Sequence, residues 1–259
     1  MTGFQIALTA LGLFSGMLFL TAVGRWLGRI RLNRKTKEEE SFAVLEGGVF
    51  GLMGLLIALT FSVSSSRLES RRQMVVDEAN AIGTAWLRIA LLPEARQGAM
   101  RQHFRQYVDN RVAFQQDITN SDAVTRALEV TNNLQGEIWS QAVADCAETP
   151  SVAASILFLP ALNSMIDLTT SGTMMAKNHL PWVIRALLLL APLLCAFMAG
   201  IESAPRTQRV WMPAILFALM LSLTVYVVLD LDYPRAGLIR INAVDQALVE
   251  LQTSMGSGK

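Results

Sequence analysis

The chain has 259 residues, of which 52% are hydrophobic and 17% charged, and its formal net charge is +1. Because an ordinary soluble domain carries about a quarter charged residues, this composition favours a membrane protein. The near-neutral charge supplies no field that would attract nucleic acid, so we expect no nucleic-acid partner. Two cysteines are too few for a disulfide framework or a cysteine-rich metal site.

Four nearly uncharged segments are long enough to cross a membrane, which takes about 20 apolar residues. They are residues 4–23, 47–66, 181–201 and 211–229. A fifth uncharged stretch, residues 149–166, contains Pro150, Pro160 and Asn163. We interpret it as an amphipathic helix packed on protein, because its apolar residues recur at helical spacing at Ile156, Leu159, Leu162 and Ile166.

Residues 67–177, which lie between the second and third spans, have the charge balance of a soluble helical domain. No proline precedes Pro93, so the second span can continue as one helix out of the membrane to about Leu92. Apolar residues at helical spacing predict further helices over residues 94–118 and 121–148. The first of these has its seam at Met100, Phe104, Tyr107, Phe114 and Ile118. Arg111 occupies the missing seam position, either as a buried partner for a carboxylate or with its head group in water.

These patterns predict an all-α fold with four transmembrane helices and a helical extramembrane domain between the second and third, the second helix extending out of the membrane. The expected domains are residues 1–66 (transmembrane helices 1 and 2 with a basic loop), 67–180 (the extramembrane domain), 181–231 (transmembrane helices 3 and 4) and 232–259 (a C-terminal tail with a short helix over 243–251).

Basic residues are concentrated in the two short loops between the spans. The first loop carries Arg29, Arg31, Arg34, Lys35 and Lys37, and the second carries Arg206 and Arg209. Positive loops stay in the cytoplasm, so this bias favours an extramembrane domain on the periplasmic side of a bacterial inner membrane. Other basic residues flank the spans on the opposite side, so the sequence leaves the sidedness open.

The second span has two distinctive faces. One is made of small residues that let helices approach closely in lipid: Gly47, Gly51, Gly54 and Ala58. The other is apolar and bulky: Leu52, Leu55, Leu56, Leu59 and Val63. Either the small face packs on neighbouring helices while the leucines face lipid, or several copies surround a pore with the leucines as a hydrophobic constriction.

Charged residues follow this span at Arg67, Glu69, Arg71 and Arg72. They either anchor the helix at the membrane surface or, in an oligomer, form a charged vestibule that concentrates counter-ions.

Further polar residues that could contact a cation or a neighbouring subunit are Asp77, Glu78, Asn80, Asp230 and Asp232. Adjacent acids on a helix point about 100° apart, so Asp77 and Glu78 do not easily share a metal. Pairing with arginine between helices or subunits is the favoured alternative, and the sequence leaves any metal unknown.

No motif in the sequence indicates an enzyme. There is no G-x-S-x-G, H-E-x-x-H or G-x-x-x-x-G-K pattern. We therefore expect neither catalysis nor a cofactor.

Two segments carry a family resemblance. The stretch GVFGLMGLLIALTFSVSSSRLESRRQMVVDEANAIGTAWLRIALLP and the tail DLDYPRAGLIRI resemble bacterial membrane proteins described as bestrophin-like, as does the loop RLNRKTKEEE. The resemblance to bestrophins themselves implies a pentameric ion channel with four spans per subunit, its pore lined by the second span. In animal bestrophins, a segment after the fourth span helps to bind Ca²⁺. The resemblance places Asp230 and Asp232 of this chain in the corresponding segment. This chain departs from bestrophins in two ways. The run RLESRR lacks the aromatic residues expected after the bestrophin neck. Bestrophin inserts are cytosolic, whereas the basic loops of this chain favour an insert outside the cytoplasm.

The expected function is therefore a bestrophin-like oligomeric ion channel with a hydrophobic neck lined by the second transmembrane helix. Its partners would be further copies of itself, inorganic ions and the lipid bilayer. The alternative is a membrane-anchored sensory or scaffold protein without a continuous pore, whose extramembrane domain binds a partner or ligand.

Overall fold

A computed structural model describes residues 2–32, 39–116, 121–148, 152–204, 211–233 and 242–257, and every regular element in these ranges is helical. The α-helices are α1 (Gly3–Leu32), α2 (Glu39–Arg88), α3 (Glu94–Gln116), α4 (Ser121–Glu148), α5 (Val152–Lys177), α6 (Trp182–Glu202), α7 (Trp211–Asp232) and α8 (Asn242–Ser257). Several sequence predictions lie outside the described residues: most of the basic loops, Ile118, Pro150 and most of the tail signature.

Five helices of the described residues are long and apolar enough to cross a membrane: α1, α2, α5, α6 and α7. The sequence predicted four spans, and α5 is the addition. The apolar helices indicate an integral membrane protein, and the all-α prediction is confirmed.

The chain divides into two compact units. The first unit comprises Met1–Leu68 and His179–Ile239, and the second comprises Glu69–Asn178 and Arg240–Lys259. Helix α2 contributes its first part to the first unit and its last part to the second.

In the first unit, α1 packs against α6 and α7 around an apolar core that includes Ile6, Met17 and Val225. The helices α1 and α6 meet at glycines. A Cβ added to Gly24 would collide with the carbonyl oxygen of Phe197, and one added to Gly200 would collide with the carbonyl oxygen of Thr21. Glycine is needed at both positions because the two backbones are in direct contact.

In the second unit, α3 supplies a continuous buried seam. Met100, Phe104, Tyr107 and Phe114 are all buried, which confirms the predicted spacing. Helix α4 begins and ends where the sequence predicted, and α2 continues through a short 3₁₀ turn, Ile89–Leu91, almost to Pro93.

Helix α5 confirms most of the predicted stripe: Leu162 is buried in the core of the second unit, and Leu159 and Ile166 pack against that core. The residues that it buries in the core of the second unit are Ala154, Phe158, Ala161, Leu162 and Met165, whereas Ile156 is 64% exposed. Both sets of residues have helical spacing, because apolar residues cover most of this helix. Spacing alone therefore identified the packed face only in part, and Ile156 was the error.

The C-terminal helix is longer than predicted. Helix α8 continues to Ser257 because Met255, like Leu248, is buried in the core of the second unit. The carbonyl oxygen of Met255 accepts a hydrogen bond from Arg105 Nε at 3.2 Å.

Candidate pore helix and its charged groups

Helix α2 has three faces in the first unit, and only one of them packs on the rest of that unit. The packed face buries Met53, Thr60, Ser64 and Leu68, which recur at helical spacing. Near the start of this face, the ring of Phe50 lies 5.7 Å from the ring of Phe217 on α7.

The leucine row lies on a second face. Leu52, Leu55, Leu59 and Val63 are all exposed, Leu52 by 68%, and Leu56 is half-buried. At 3.6 residues per turn these side chains form one apolar strip, whose centre lies about 120° around the helix from the centre of the packed face.

The small residues form the third face. Gly47, Gly51 and Gly54 are exposed, and a Cβ added to any of them would meet no other atom within 4 Å. Ala58 is exposed as well. The glycines therefore leave an open, smooth surface on the single chain, in contrast to Gly24 and Gly200.

Arg67 and Asp232 lie together within the first unit. The Nη1 atom of Arg67 is 3.7 Å from Oδ1 of Asp232, whose side chain is fully buried. Both carboxylate oxygens of Asp232 also accept the backbone N–H of Leu180, at 3.2 and 3.0 Å. The end of α7 is thereby linked to α2 and to the segment before α6. Asp230 is buried in the same unit.

The stacked side chains of His179 and Tyr233 lie beside the Asp232 carboxylate. The ring of His179 stacks on that of Tyr233 at 4.4 Å, and its Nδ1 atom is 3.8 Å from Asp232 Oδ2. Arg185 donates a hydrogen bond to the hydroxyl of Tyr233 at 2.9 Å. Arg185, which the sequence places at the start of a span, thus has a specific acceptor.

The remaining charges of the predicted vestibule belong to the second unit and differ in exposure. Arg71 is buried and donates to the carbonyl oxygen of Asn178 at 2.7 Å. Glu69 and Arg72 are on the surface, where they pair with each other at 3.6 Å.

Asp77 and Glu78 point in different directions, as their adjacent positions on a helix require. Asp77 accepts a hydrogen bond from Gln73 Nε2 at 2.9 Å, and Asn80 is exposed. Glu78 points into the second unit and forms a two-point ion pair with Arg111, in which Nε to Oε1 is 2.6 Å and Nη2 to Oε2 is 3.1 Å. Arg111 also lies over the ring of Phe114, with Cζ 4.7 Å from the centroid.

The ion pair extends into a buried hydrogen-bond network. Thr169 on α5 donates to Glu78 Oε1 at 3.2 Å, and its hydroxyl is 2.6 Å from that of Tyr107. Gln135 on α4 donates to the Tyr107 hydroxyl at 3.2 Å. Burial, followed by the nearby Glu78 carboxylate, raises the pKa of Tyr107 above its usual value, so the phenol remains protonated. The network joins α2, α3, α4 and α5 through polar contacts.

Within the described residues, no group of three or more His, Cys, Asp or Glu side chains is arranged to hold a metal ion. The acids singled out from the sequence are dispersed: Glu78 pairs with Arg111, Asp232 with Arg67, and Asp77 lies on the surface of α2.

The sequence profile of the Bestrophin-like domain matches residues 13–245. The chain belongs to the bestrophin-like family. No curated protein matches the sequence. The matched residues begin within α1 and end within α8, and they include most of both units.

Solved structures share the fold of this bestrophin-like chain. A variant of a bacterial bestrophin homolog from Klebsiella pneumoniae matches with a TM-score of 0.61 and 14% identity, over 93% of this chain and 99% of that one. Another variant of this homolog matches with a TM-score of 0.56 and 14% identity, over 98% of this chain and 99% of that one. A structure of this homolog that was solved by zinc phasing matches with a TM-score of 0.54 and 15% identity, over 97% of each chain. In each case the likeness covers at least 93% of this chain.

Sequence reasoning missed two features of this bestrophin-like chain. The close contact of α1 and α6 uses Gly24, Gly28 and Gly200, and the spacing of Gly24 and Gly28 is the small-xxx-small pattern typical of helix contacts. The direction of Arg67 was also missed, because the partner Asp232 is distant in sequence.

Proposed function

We propose that the chain is one subunit of a homo-oligomeric ion channel in which copies of α2 surround the pore. One observation carries this proposal: α2 leaves two of its three faces unpacked in the single chain. A helix that lines an oligomeric pore needs such an arrangement, with one face on its own subunit, one against a neighbouring copy and one toward the axis. The pentamer is taken from the resemblance to bestrophins.

In this channel the small face of Gly47, Gly51, Gly54 and Ala58 contacts the neighbouring copy of the chain. The space beside each glycine admits another helix at close range. The leucine row then points toward the axis, where a ring of Leu52, Leu55, Leu56, Leu59 and Val63 side chains forms a hydrophobic neck. Such a constriction gates by excluding water.

We further propose that four helices span the membrane and that α5 belongs to the extramembrane bundle. Helix α5 packs into the core of the second unit through Phe158, Leu162 and Met165. Its opposite surface carries Asn163, Ser164 and Asp167, all of them exposed. A charged, amide-bearing surface is costly in hydrocarbon. The spans are then α1, the first part of α2, α6 and α7.

The charge bias of the loops supports a bacterial inner-membrane protein with its extramembrane domain in the periplasm. Reporter fusions at the C-terminus test this sidedness. If a reporter that works only in the cytoplasm were active in this fusion, the periplasmic assignment would be wrong. The channel proposal would be unaffected.

Oligomeric state and ion flux test the channel itself. Detergent-purified protein should form a ring with α2 at its axis, and in liposomes it should carry ion flux. Leu59→Ala should increase that flux severalfold, because the shorter side chain widens the neck. Leu219→Ala is the matched control, because Leu219 is similarly exposed but lies on α7.

A strictly monomeric protein, or a ring without flux, would overturn the channel. The sensory or scaffold alternative, in which the second unit binds a partner, would then remain. Equal effects of Leu59→Ala and Leu219→Ala would show that the leucine row faces lipid.

A further inference from the structure

A groove in the second unit lies between the last part of α2 and the first half of α5. Its volume is about 280 Å³. The residues that line it are Ala81, Thr84, Arg88, Pro160, Ala161 and Ser164. Thr84, Pro160 and Ser164 are exposed at its rim, whereas Ala161 is buried at its floor. Four of the six side chains are short, which leaves space between the two helices.

Arg88 supplies the charge of this groove. It is the last residue of α2, and its Nη1 atom donates to the carbonyl oxygen of Leu157 on α5 at 2.6 Å. This hydrogen bond holds the guanidinium at the groove. Among the described residues Arg88 has no ion-pair partner, and its Nε–H and Nη2–H groups have no acceptor. Two such parallel N–H groups match the two oxygens of a carboxylate.

The other lining residues define the rest of the ligand. Thr84 lies one turn earlier on α2, and its hydroxyl has no hydrogen-bond partner among the described residues, so it can donate to an anion. The hydroxyl of Ser164 is already used, because it donates to the carbonyl oxygen of Pro160 at 3.0 Å. Ala81, Ala161 and the ring of Pro160 provide apolar surface. The groove therefore combines one cationic end with an apolar wall.

We propose that this groove binds a small organic carboxylate. The carboxylate lies on Arg88 and Thr84, and its short hydrocarbon chain lies along the alanines and the proline. A single cation matches a monoanion, whereas a phosphate group carries up to two charges and is better matched by several arginines. Ligand pockets typically measure about 300–1,000 Å³, so this groove suits a molecule of only a few carbon atoms.

The proposed site is independent of the pore, because every lining residue lies in the second unit. It rests on the proposed placement of α5 outside the membrane, where a water-soluble ligand has access to the groove.

Ligand-observed NMR of the full-length protein in deuterated detergent tests the site, with sodium butyrate as the probe. Saturation transfer from the protein to butyrate should be saturable, with one site per chain. Acetate should bind severalfold more weakly, because it lacks two methylene groups that butyrate can bury. Inorganic phosphate should not displace butyrate at equal concentration.

Two variants of the groove and two matched controls locate the binding. Arg88→Gln should weaken butyrate binding by about tenfold or more, because the charged hydrogen bonds are lost. Ser164→Phe should abolish binding, because the ring fills the groove from its exposed rim. Ser171→Phe changes another exposed serine of α5 that does not line the groove, and Arg126→Gln removes an exposed arginine of α4. Both controls should bind butyrate as the wild type does.

Four results would overturn the site or its ligand class. They are no saturable butyrate binding by the wild type, equal binding by Ser164→Phe and Ser171→Phe, equal binding by Arg88→Gln and Arg126→Gln, and displacement of butyrate by phosphate at equal concentration.

Labelling of Ser164→Cys in broken membranes separates the site from the placement of α5. A charged maleimide should modify this cysteine ahead of Cys146 and Cys195, which are both buried, and butyrate should slow the modification severalfold. An unchanged rate in butyrate would contradict the site. If the introduced cysteine were not modified while butyrate still bound in detergent, the placement of α5 would be wrong and the site would stand.

Discussion

Glu78 and Arg111 form a buried two-point ion pair between α2 and α3, with each side chain 2% exposed. A buried ion pair is stabilised by additional hydrogen bonds, and here Thr169 also donates to the Glu78 carboxylate. The pair fixes the last part of α2 within the second unit. The last part of α2 and helix α3 are therefore joined by a contact that tolerates little change.

Breaking this pair should destabilise the second unit strongly. Arg111→Met leaves the Glu78 carboxylate buried without a counter-charge, at a cost of about 3–5 kcal/mol. Replacing both partners, with Glu78→Leu and Arg111→Met, should recover much of that loss. Thermal unfolding of the full-length protein in detergent, followed by circular dichroism, measures the effect.

The exposed pair of Arg72 and Glu69 supplies the control for this experiment. Arg72→Met should change stability by less than about 1 kcal/mol, because a surface ion pair contributes little. If Arg111→Met were as mild as Arg72→Met, the buried pair would not be a determinant of stability.

The glycine contact between α1 and α6 should be equally intolerant of added atoms. Gly24→Val places a Cβ against the backbone of Phe197, and neither backbone can yield without separating the helices. Overpacking typically costs about 1–3 kcal/mol, and a backbone collision should lie at the upper end of this range or beyond it. The fraction of protein that remains monodisperse after graded heating in detergent reports the loss.

Gly12→Val is the control, because a Cβ at Gly12 of the same helix meets no atom within 4 Å. It shares the cost of a β-branched residue but not the collision. Equal loss in both variants would show that helix propensity rather than the close approach requires glycine at position 24.

Cys146 should react slowly with thiol reagents in the folded protein. Its side chain is buried, and burial raises the pKa of the thiol above its usual value of about 9. The reactive thiolate is therefore scarce at neutral pH. Maleimide labelling should accelerate greatly on denaturation, whereas a cysteine introduced at the exposed position of Gln102 should label quickly without it. Rapid labelling of native Cys146 would contradict the buried placement.

The same pKa shift determines how Cys146 affects stability. Because the folded protein retains the thiol proton more firmly than the unfolded chain, the contribution of Cys146 to stability is complete below pH 9. It is lost as the pH rises further, because the unfolded chain releases that proton first. Cys146→Ser should therefore reduce the decline in stability above pH 9.

Local patterns were sufficient to predict much of this fold, whereas long-range partners were not. The continuous helix from the second span to the 3₁₀ turn follows from the absence of proline before Pro93, and the bounds of α4 follow from its apolar spacing. Arg111 was recognisable as an outlier in an apolar seam. Its partner Glu78 lies 33 residues away, and nothing in either local pattern connects the two.

The candidate site shows the same division. Spacing alone defined the leucine and glycine faces of α2, because the helix period determines which residues are neighbours. The orientation of the arginines that follow the predicted span could not be derived from spacing, because the direction of a long side chain depends on its acceptor. Arg67 is directed by a carboxylate on α7 that is 165 positions later in the sequence.

Arg67 and Asp232 should be energetically coupled. Removing the charge of Asp232 with Asp232→Leu deprives both Arg67 and the backbone N–H of Leu180 of their acceptor. An unsatisfied buried N–H costs about 1–3 kcal/mol in addition to the lost pair. Arg67→Leu should cost less, because Arg67 is partly exposed and the carboxylate still accepts the Leu180 N–H. A double-mutant cycle on thermal stability in detergent should give a coupling of about 0.5–3 kcal/mol.

Glu202→Gln, at the exposed end of α6, should be near neutral in the same assay. Strictly additive losses would show that Arg67 and Asp232 do not act on each other. The orientation of Arg67 would then have a cause other than the Asp232 carboxylate.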